Sequence, residues 1–94
     1  MNEQILEILV ILQEECAEAV VSVSKCIRFG PDQVMNKDDE ITNIQRLQNE
    51  LGDIQALVEL LVDENVGVTK EGIEEAKLRK FEKLKTWSDL KINK

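Results

Sequence analysis

The sequence predicts an all-α protein with three main helices per subunit, forming a helical bundle that is completed by dimerisation. Apolar residues make up 43% of the chain but only 3% is aromatic, so the core is built from aliphatic side chains that suit packed helices. Turn signals divide the sequence into three segments, and the middle one has apolar residues at steps of three and four. The whole chain has 94 residues, which predicts one domain, 1–94. A domain this small buries little of its surface and therefore favours oligomerisation.

The first segment is predicted to be a helix from the N-cap Asn2 to about Arg28. Its many Ile and Val residues would also suit a strand, but the run is far too long for one. Glu and Ala residues in its middle favour the helix. Gly30-Pro31 ends it.

A polar loop is predicted over about 30–38, with Asn36, Asp38 and Asp39 as candidate caps for the next helix. That second helix is predicted from about Asp39 to Asp63. Its heptad-like apolar stripe consists of Ile44, Leu47, Leu51, Ile54, Val58 and Leu61.

The third helix is predicted to follow a turn at residues 65–68, with Thr69 as N-cap, and to reach about Lys85. Gly72 weakens its first turn. The polar tail, about 88–94, is predicted to fray.

The charge pattern excludes several classes of function. A net charge of −7 argues against binding a nucleic-acid polymer, which requires clustered cations. The absence of histidine removes the usual proton shuttle and histidine-based metal sites, so chemistry must rest on carboxylates, lysines and metal-bound water.

The N-terminal apolar stretch and the two cysteines indicate the compartment. The stretch Ile5 to Leu12 contains Glu7 and is too short to span a bilayer, so we expect no membrane partner and a cytoplasmic location. Cys16 and Cys26 lie about 15 Å apart along one helix. That distance exceeds the span of a disulfide, and we expect reduced, buried thiols.

Two pairs of acidic residues at i, i+3 spacing are the main functional signal: Glu15 with Glu18, and Glu50 with Asp53. Each pair falls on one helical face beside apolar residues, where like charges repel unless a cation is shared. Mg²⁺ prefers such oxygen ligands and bridges carboxylates to phosphates, with Mn²⁺ as a possible substitute. The alternative is an ordinary solvated acidic face.

Gly52, between Glu50 and Asp53, predicts that another backbone approaches the second helix closely, because glycine costs a helix interior about 1 kcal/mol.

The two motifs together resemble those of a known family. Glu14-Glu15-x-x-Glu18 followed by Glu50-Leu-Gly-Asp53, with Arg46 four residues before Glu50, is similar to the MazG-like branch of the all-α nucleoside triphosphate pyrophosphohydrolases. The resemblance covers roughly residues 5–87. The linker between the motifs is somewhat long.

This resemblance implies hydrolysis of a nucleoside triphosphate to the monophosphate and pyrophosphate. By motif match it makes Glu15, Glu18, Glu50 and Asp53 the metal ligands, and Glu14 a further ligand, an orienting group or the base for water. It also implies a homodimer, or a dimer of dimers, with the site built between helices. Within this class of enzyme, a member specific for deoxyuridine triphosphate is an alternative, because the sequence does not fix the base.

The third helix adds candidate phosphate contacts. Lys77 and Lys80 project onto the same face as Ile73, Leu84 and Trp87, and with Arg46 they are our candidates for binding substrate phosphates. Snorkelling or ion pairing explains these lysines equally well. Lys25, on the first helix, is a weaker candidate for binding phosphate. Leu78 stands where many family members have an asparagine.

We interpret the chain as a Mg²⁺-dependent nucleotide-pool housecleaning enzyme that hydrolyses (d)NTPs. The competing interpretation is a non-enzymatic interaction module, whose apolar stripe binds a partner helix and whose acids are solvated.

Overall fold

A computed structural model of the chain describes residues 1–36 and 40–94, and within them it has three α-helices and no strand. The predicted all-α class is confirmed. The helices are α1 (Glu3–Phe29), α2 (Asn43–Asp63) and α3 (Lys70–Trp87). The chain forms two compact units, Met1–Glu64 with α1 and α2, and Asn65–Lys94 with α3.

α1 begins and ends at the predicted signals. The Asn2 side chain accepts a hydrogen bond from the Ile5 amide, satisfying a donor that has no partner within the helix. Gly30 follows the helix at a φ of +100°, which favours glycine, and its amide donates to the Cys26 carbonyl.

α2 begins later in the chain than its predicted start near Asp39. Thr42 caps it by accepting from the Gln45 amide, while the Gln45 side chain accepts from the Thr42 amide. This reciprocal capping box satisfies two amides at once, which explains why the helix begins here. Asn36 lies in a bend and does not cap α2. The other predicted caps, Asp38 and Asp39, lie outside the described residues.

α1 and α2 pack as an antiparallel pair joined by hydrogen bonds at both ends. The Gln4 amide donates to the Glu64 carboxylate at 2.9 Å, and the Asn43 side-chain amide donates to the Gly30 carbonyl at 3.0 Å. Between these ends the interior is small. Of the described apolar side chains, Ile8 and Leu61 are the buried ones.

The second unit starts with the predicted turn, in which Asn65 and Gly67 have positive φ. Thr69 caps α3, accepting from the Gly72 amide at 2.9 Å. A Cβ on Gly72 would also lie 2.9 Å from the Thr69 hydroxyl oxygen, so glycine makes room for the cap.

α3 extends to Trp87, two residues beyond its predicted end, and the tail has no regular structure. The tail nevertheless contacts α3. The Ser88 hydroxyl donates to the Leu84 carbonyl at 2.7 Å, and the Lys94 ammonium lies 5.6 Å from the centre of the Phe81 ring.

Three smaller expectations have clear outcomes. Both cysteines are free thiols as predicted, but the expectation that they are buried is wrong, because Cys16 is exposed and Cys26 is half-buried. No backbone of the described chain approaches Gly52, because a Cβ there would meet nothing within 4 Å. Among the described helices, none has the length and apolar composition needed to cross a bilayer.

Candidate metal centre

The candidate metal centre lies where the middle of α1 meets the middle of α2. Glu15 occupies the fourth turn of α1, and Glu50 and Asp53 lie one turn apart on α2. Residues three apart share a helical face. The antiparallel packing brings that face of α2 against Glu15, so residues far apart in sequence share one site.

The three carboxylates converge closely. One oxygen from each of Glu15, Glu50 and Asp53 lies within 4.8 Å of the other two. Glu15 and Glu50 are half-buried and Asp53 is exposed, so the cluster opens to solvent on the Asp53 side. Oε2 of Glu50 is buried and has no hydrogen-bond partner within residues 1–36 and 40–94. An unpartnered carboxylate oxygen is costly, and a bound cation would remove that cost.

Crowding of the carboxylates changes the protonation of Glu15. A hydrogen bond with Glu50, partial burial, and the negative charges of Glu50 and Asp53 raise the pKa of Glu15 from 4.5 to about 7. A proton shared among three carboxylates offsets their repulsion near neutral pH. A divalent cation would do the same more fully, since it carries two charges.

The donor set fits a hard divalent cation. All three ligand atoms are carboxylate oxygens, which Mg²⁺ and Mn²⁺ prefer over nitrogen or sulfur. Mg²⁺ typically keeps several waters and takes one or two protein carboxylates plus substrate phosphate. Three converging carboxylates, one of them solvent-facing, leave room for such ligands.

The other predicted acidic residues lie at the edge of this group. Glu14 and Glu18 are exposed on α1 and do not join the converging oxygens of Glu15, Glu50 and Asp53. Their assignment as ligand or base stays a prediction.

The predicted phosphate contacts belong to different units. Arg46 is half-buried on α2, one turn before Glu50. Lys77 and Lys80 are exposed on α3, in the second unit, and the Lys77 ammonium lies 2.7 Å from a Glu74 carboxylate oxygen. Such an exposed pair contributes about 0–1 kcal/mol, so it would not prevent Lys77 from binding phosphate.

Sequence reasoning missed Asn43, which positions the loop beside α2. Asn43 is 1% exposed, and its side chain and backbone amides donate to the Gly30 and Gln33 carbonyls. A signal was available, because Asn43 lies seven residues before Glu50 and therefore on the same helical face. Its Oδ1 is buried without a hydrogen-bond partner among the described residues.

Comparison of the chain with protein-family models, with curated proteins and with solved structures gave no match. The motif resemblance therefore rests on the residues of this chain alone.

Proposed function

We propose that the protein is a Mg²⁺-dependent nucleoside triphosphate pyrophosphohydrolase of the MazG-like type, converting (d)NTP and water to (d)NMP and pyrophosphate. The observation that carries the proposal is the convergence of Glu15 with Glu50 and Asp53, since these residues come from both halves of the motif. Mn²⁺ can replace Mg²⁺ at such a site. Clearance of unwanted nucleotides is the corresponding biological role.

In this proposal Glu15, Glu50 and Asp53 hold the metal, with Glu18 as a further ligand from the next turn of α1. A bound divalent metal would polarise the phosphoryl oxygens and neutralise charge that develops on them. Glu14, exposed on the same helix, is a further metal ligand, a group that orients the attacking water, or the base that accepts its proton. The bond that breaks joins the α and β phosphates. Arg46 neutralises part of the remaining phosphate charge. For Lys77 and Lys80 of the second unit, the same role stays a prediction of the sequence.

Assembly through a second copy is part of the same proposal. The first helix is apolar on several sides, with Val20, Val21 and Ile27 exposed by 69%, 48% and 79%. A helix that is apolar all round is normally buried. Leu51 is 49% exposed and the neighbouring Gly52 has open space around it, so a helix of another subunit can approach there. A homodimer, or a dimer of dimers, would cover these surfaces.

A nucleotide panel tests the activity directly. The purified chain is incubated with each NTP and dNTP, deoxyuridine triphosphate included, with Mg²⁺ or with EDTA, and pyrophosphate and orthophosphate are assayed separately. We expect Mg²⁺-dependent pyrophosphate release from at least one nucleotide. Orthophosphate alone, or no release from any nucleotide, would contradict the proposal.

Two matched pairs of variants connect the activity to the carboxylates. Glu15→Gln should abolish turnover, while Glu7→Gln, an exposed position on the same helix, should not. Glu50→Gln should likewise differ from Glu59→Gln on α2. Equal effects within either pair would mean that the cluster is not the active site.

The second candidate function is a non-enzymatic helical interaction module, favoured by the same exposed apolar residues. It predicts that Asp53→Asn leaves partner binding intact and that metal causes no thermal shift in the unmodified chain. A metal-dependent rise in Tm that Asp53→Asn removes would exclude it.

A further inference from the structure

The interface between α1 and α2 changes charge along its length. Its middle holds the acidic cluster of Glu15, Glu50 and Asp53. Toward the loop end, where α1 finishes and α2 begins, each helix carries a half-buried cationic side chain, Lys25 on α1 and Arg46 on α2. We call this second region the cationic end.

The antiparallel register places the two cations on the same side of the acidic cluster. Gln4 contacts Glu64 at one end of the pair, and Gly30 contacts Asn43 at the other. Moving from the cluster toward the loop, Lys25 lies about 15 Å along α1 from Glu15, and Arg46 about 10 Å along α2 from Asp53. Side chains on a helix lean toward its N-terminus, so the Lys25 side chain leans toward the cluster. Arg46 is the nearer of the two along its helix, one turn from Glu50.

Helix periodicity also places Lys25 on the flank of α1 that carries the acidic motif. Lys25 is seven residues after Glu18 and eleven after Glu14, so all three fall within an arc of about 40°. An extended ligand that is held at the acidic motif and follows this flank toward the loop would reach Lys25.

Lys25 is the unusual member of this group. It is half-buried, yet it forms no ion pair with any residue of 1–36 or 40–94. The partial burial is that of the whole side chain, and Nζ of Lys25 is not among the fully buried polar atoms of the described residues. An ammonium without an ion pair can form a charge-assisted contact with an anion supplied from outside the chain.

The overall charge of the first unit makes local cations necessary for an anionic ligand. Residues 1–64 carry four Lys and Arg against fourteen Asp and Glu, a net charge of −10. A polyphosphate approaching this unit is repelled except where metal or a cation offsets the acids. The cationic end is such a place.

We propose that Lys25 is a phosphate-binding residue, and that with Arg46 it holds the part of the polyphosphate that extends from the metal toward the loop end of α1 and α2. This inference rests on the proposed function and adds to it an orientation for the substrate. The outer phosphates, and hence the pyrophosphate product, lie over the cationic end, and the nucleoside lies in the opposite direction.

The test measures Mn²⁺ binding and inorganic pyrophosphate binding separately, by calorimetry on the full chain. Lys25→Met keeps an unbranched stem and removes the charge; Lys25→Gln is a second neutral variant in case methionine perturbs folding. Lys25→Arg keeps the charge. Arg28→Met is the matched control, because Arg28 is exposed on the same helix and lies over the Phe29 ring, 5.1 Å from its centre.

We expect the neutral Lys25 variants to bind Mn²⁺ as the unmodified chain does, but to bind pyrophosphate with Mn²⁺ about 10-fold to 100-fold more weakly, as expected for one charge-assisted hydrogen bond. Lys25→Arg should recover most of the affinity, and Arg28→Met should lose little. With a nucleotide substrate, the neutral variants should raise KM more than they lower kcat.

The outcomes separate the two proposals. If the unmodified chain binds Mn²⁺ and pyrophosphate and the neutral Lys25 variants bind them equally well, the role of Lys25 is overturned and the metal site stands. An equal loss in Arg28→Met overturns it too, since the effect would then reflect net charge alone. If the unmodified chain binds no Mn²⁺, the proposed function fails and the role of Lys25 fails with it.

Discussion

Glu15 couples the state of the acidic cluster to pH. Neighbouring carboxylates and partial burial raise its pKa from 4.5 to about 7, so the folded chain keeps this proton over a range in which the unfolded chain has lost it. The stability contributed by this group is therefore complete below about pH 4.5 and is lost as pH rises through about 7. A metal ion competes with the same proton.

The first prediction concerns this pH dependence. In EDTA, the free energy of unfolding of the unmodified chain should fall relative to that of Glu15→Gln as pH rises from 5 to 8. Urea denaturation at a series of pH values measures it, with Glu7→Gln as the control that keeps the pH dependence of the unmodified chain. Parallel curves for the unmodified chain and Glu15→Gln would show that Glu15 titrates normally.

The second prediction separates the effect of Glu50 on stability from its effect on metal binding. In the described part of the chain, its Oε2 is buried without a hydrogen-bond partner. Glu50→Gln removes a like charge, so the metal-free protein should become more stable by at least about 0.5 kcal/mol. Its Mn²⁺ affinity should fall by at least about tenfold, because even outer-shell changes cost 10-fold to 100-fold at metal sites.

Thermal unfolding with and without Mn²⁺ measures both effects of Glu50→Gln. Glu59→Gln, exposed on the same helix, should change stability by less than about 0.5 kcal/mol and keep the metal response. A destabilised Glu50→Gln protein that still binds Mn²⁺ would contradict the assignment of Glu50 as a ligand.

At the level of single elements, the start of α2 determines the geometry of the site. Thr42 and Gln45 form the capping box, and the following Asn43 is buried and bonded to Gly30 and Gln33. These contacts fix where α2 starts relative to the end of α1. Since Arg46, Glu50 and Asp53 follow at fixed helical intervals, the cap also fixes which of their side chains face Glu15.

The third prediction tests the cap. Thr42→Ala should lower the free energy of unfolding by about 1 kcal/mol, because the Gln45 amide loses its acceptor. Thr42→Ser keeps a hydroxyl and should cost clearly less. Urea denaturation of both variants measures the difference. Equal stability of the two would show that the hydroxyl does not contribute to the start of α2.

The fourth prediction tests the junction between α1 and α2. Asn43→Ala removes the buried side chain that donates to the Gly30 carbonyl and should destabilise the protein by about 1–3 kcal/mol. Asn2→Ala removes only an exposed cap and should cost about 1 kcal/mol. Mn²⁺ affinity should fall in Asn43→Ala more than in Asn2→Ala, if the junction aligns the carboxylates. Titration with Mn²⁺ decides this.

At the scale of the whole molecule, the described chain buries few apolar side chains and exposes many. Ile8 and Leu61 are the buried apolar residues of the described ranges, whereas Val20, Ile27 and Trp87 are exposed by 69%, 79% and 83%. A small domain with so little buried apolar surface has little hydrophobic stabilisation. The proposed second copy would supply it.

The fifth prediction follows from this imbalance. Light scattering after gel filtration should give a mass of at least two chains for the unmodified protein. Ile27→Asp, which places a charge in an apolar surface, should shift that mass toward one chain and lower Tm. Glu7→Lys, also a charge change on an exposed position of α1, should do neither. A monomeric unmodified chain would contradict the assembly.

The sequence by itself determined the local structure and the choice of acidic residues. Asn2, Gly30 and Thr69 act within a few residues of their own positions, so the bounds of α1 and the start of α3 followed from caps and turns. The pairing of Glu50 with Asp53 followed from the helical period. The predicted start of α2 was wrong because several polar residues before the helix could act as its N-cap. Only the reciprocal hydrogen bonds of Thr42 and Gln45 distinguish the true cap from the others.

Only the tertiary structure decided which residues meet across the interface. It brought Glu15, rather than Glu18, to the carboxylates of α2, left Gly52 open and made Lys25 half-buried at the same end of the helix pair as Arg46. These outcomes depend on the rotation and register of one helix against another. Rotation and register are set by packing and by contacts such as Gln4 with Glu64, between residues far apart in sequence, whereas helix propensity and caps act locally.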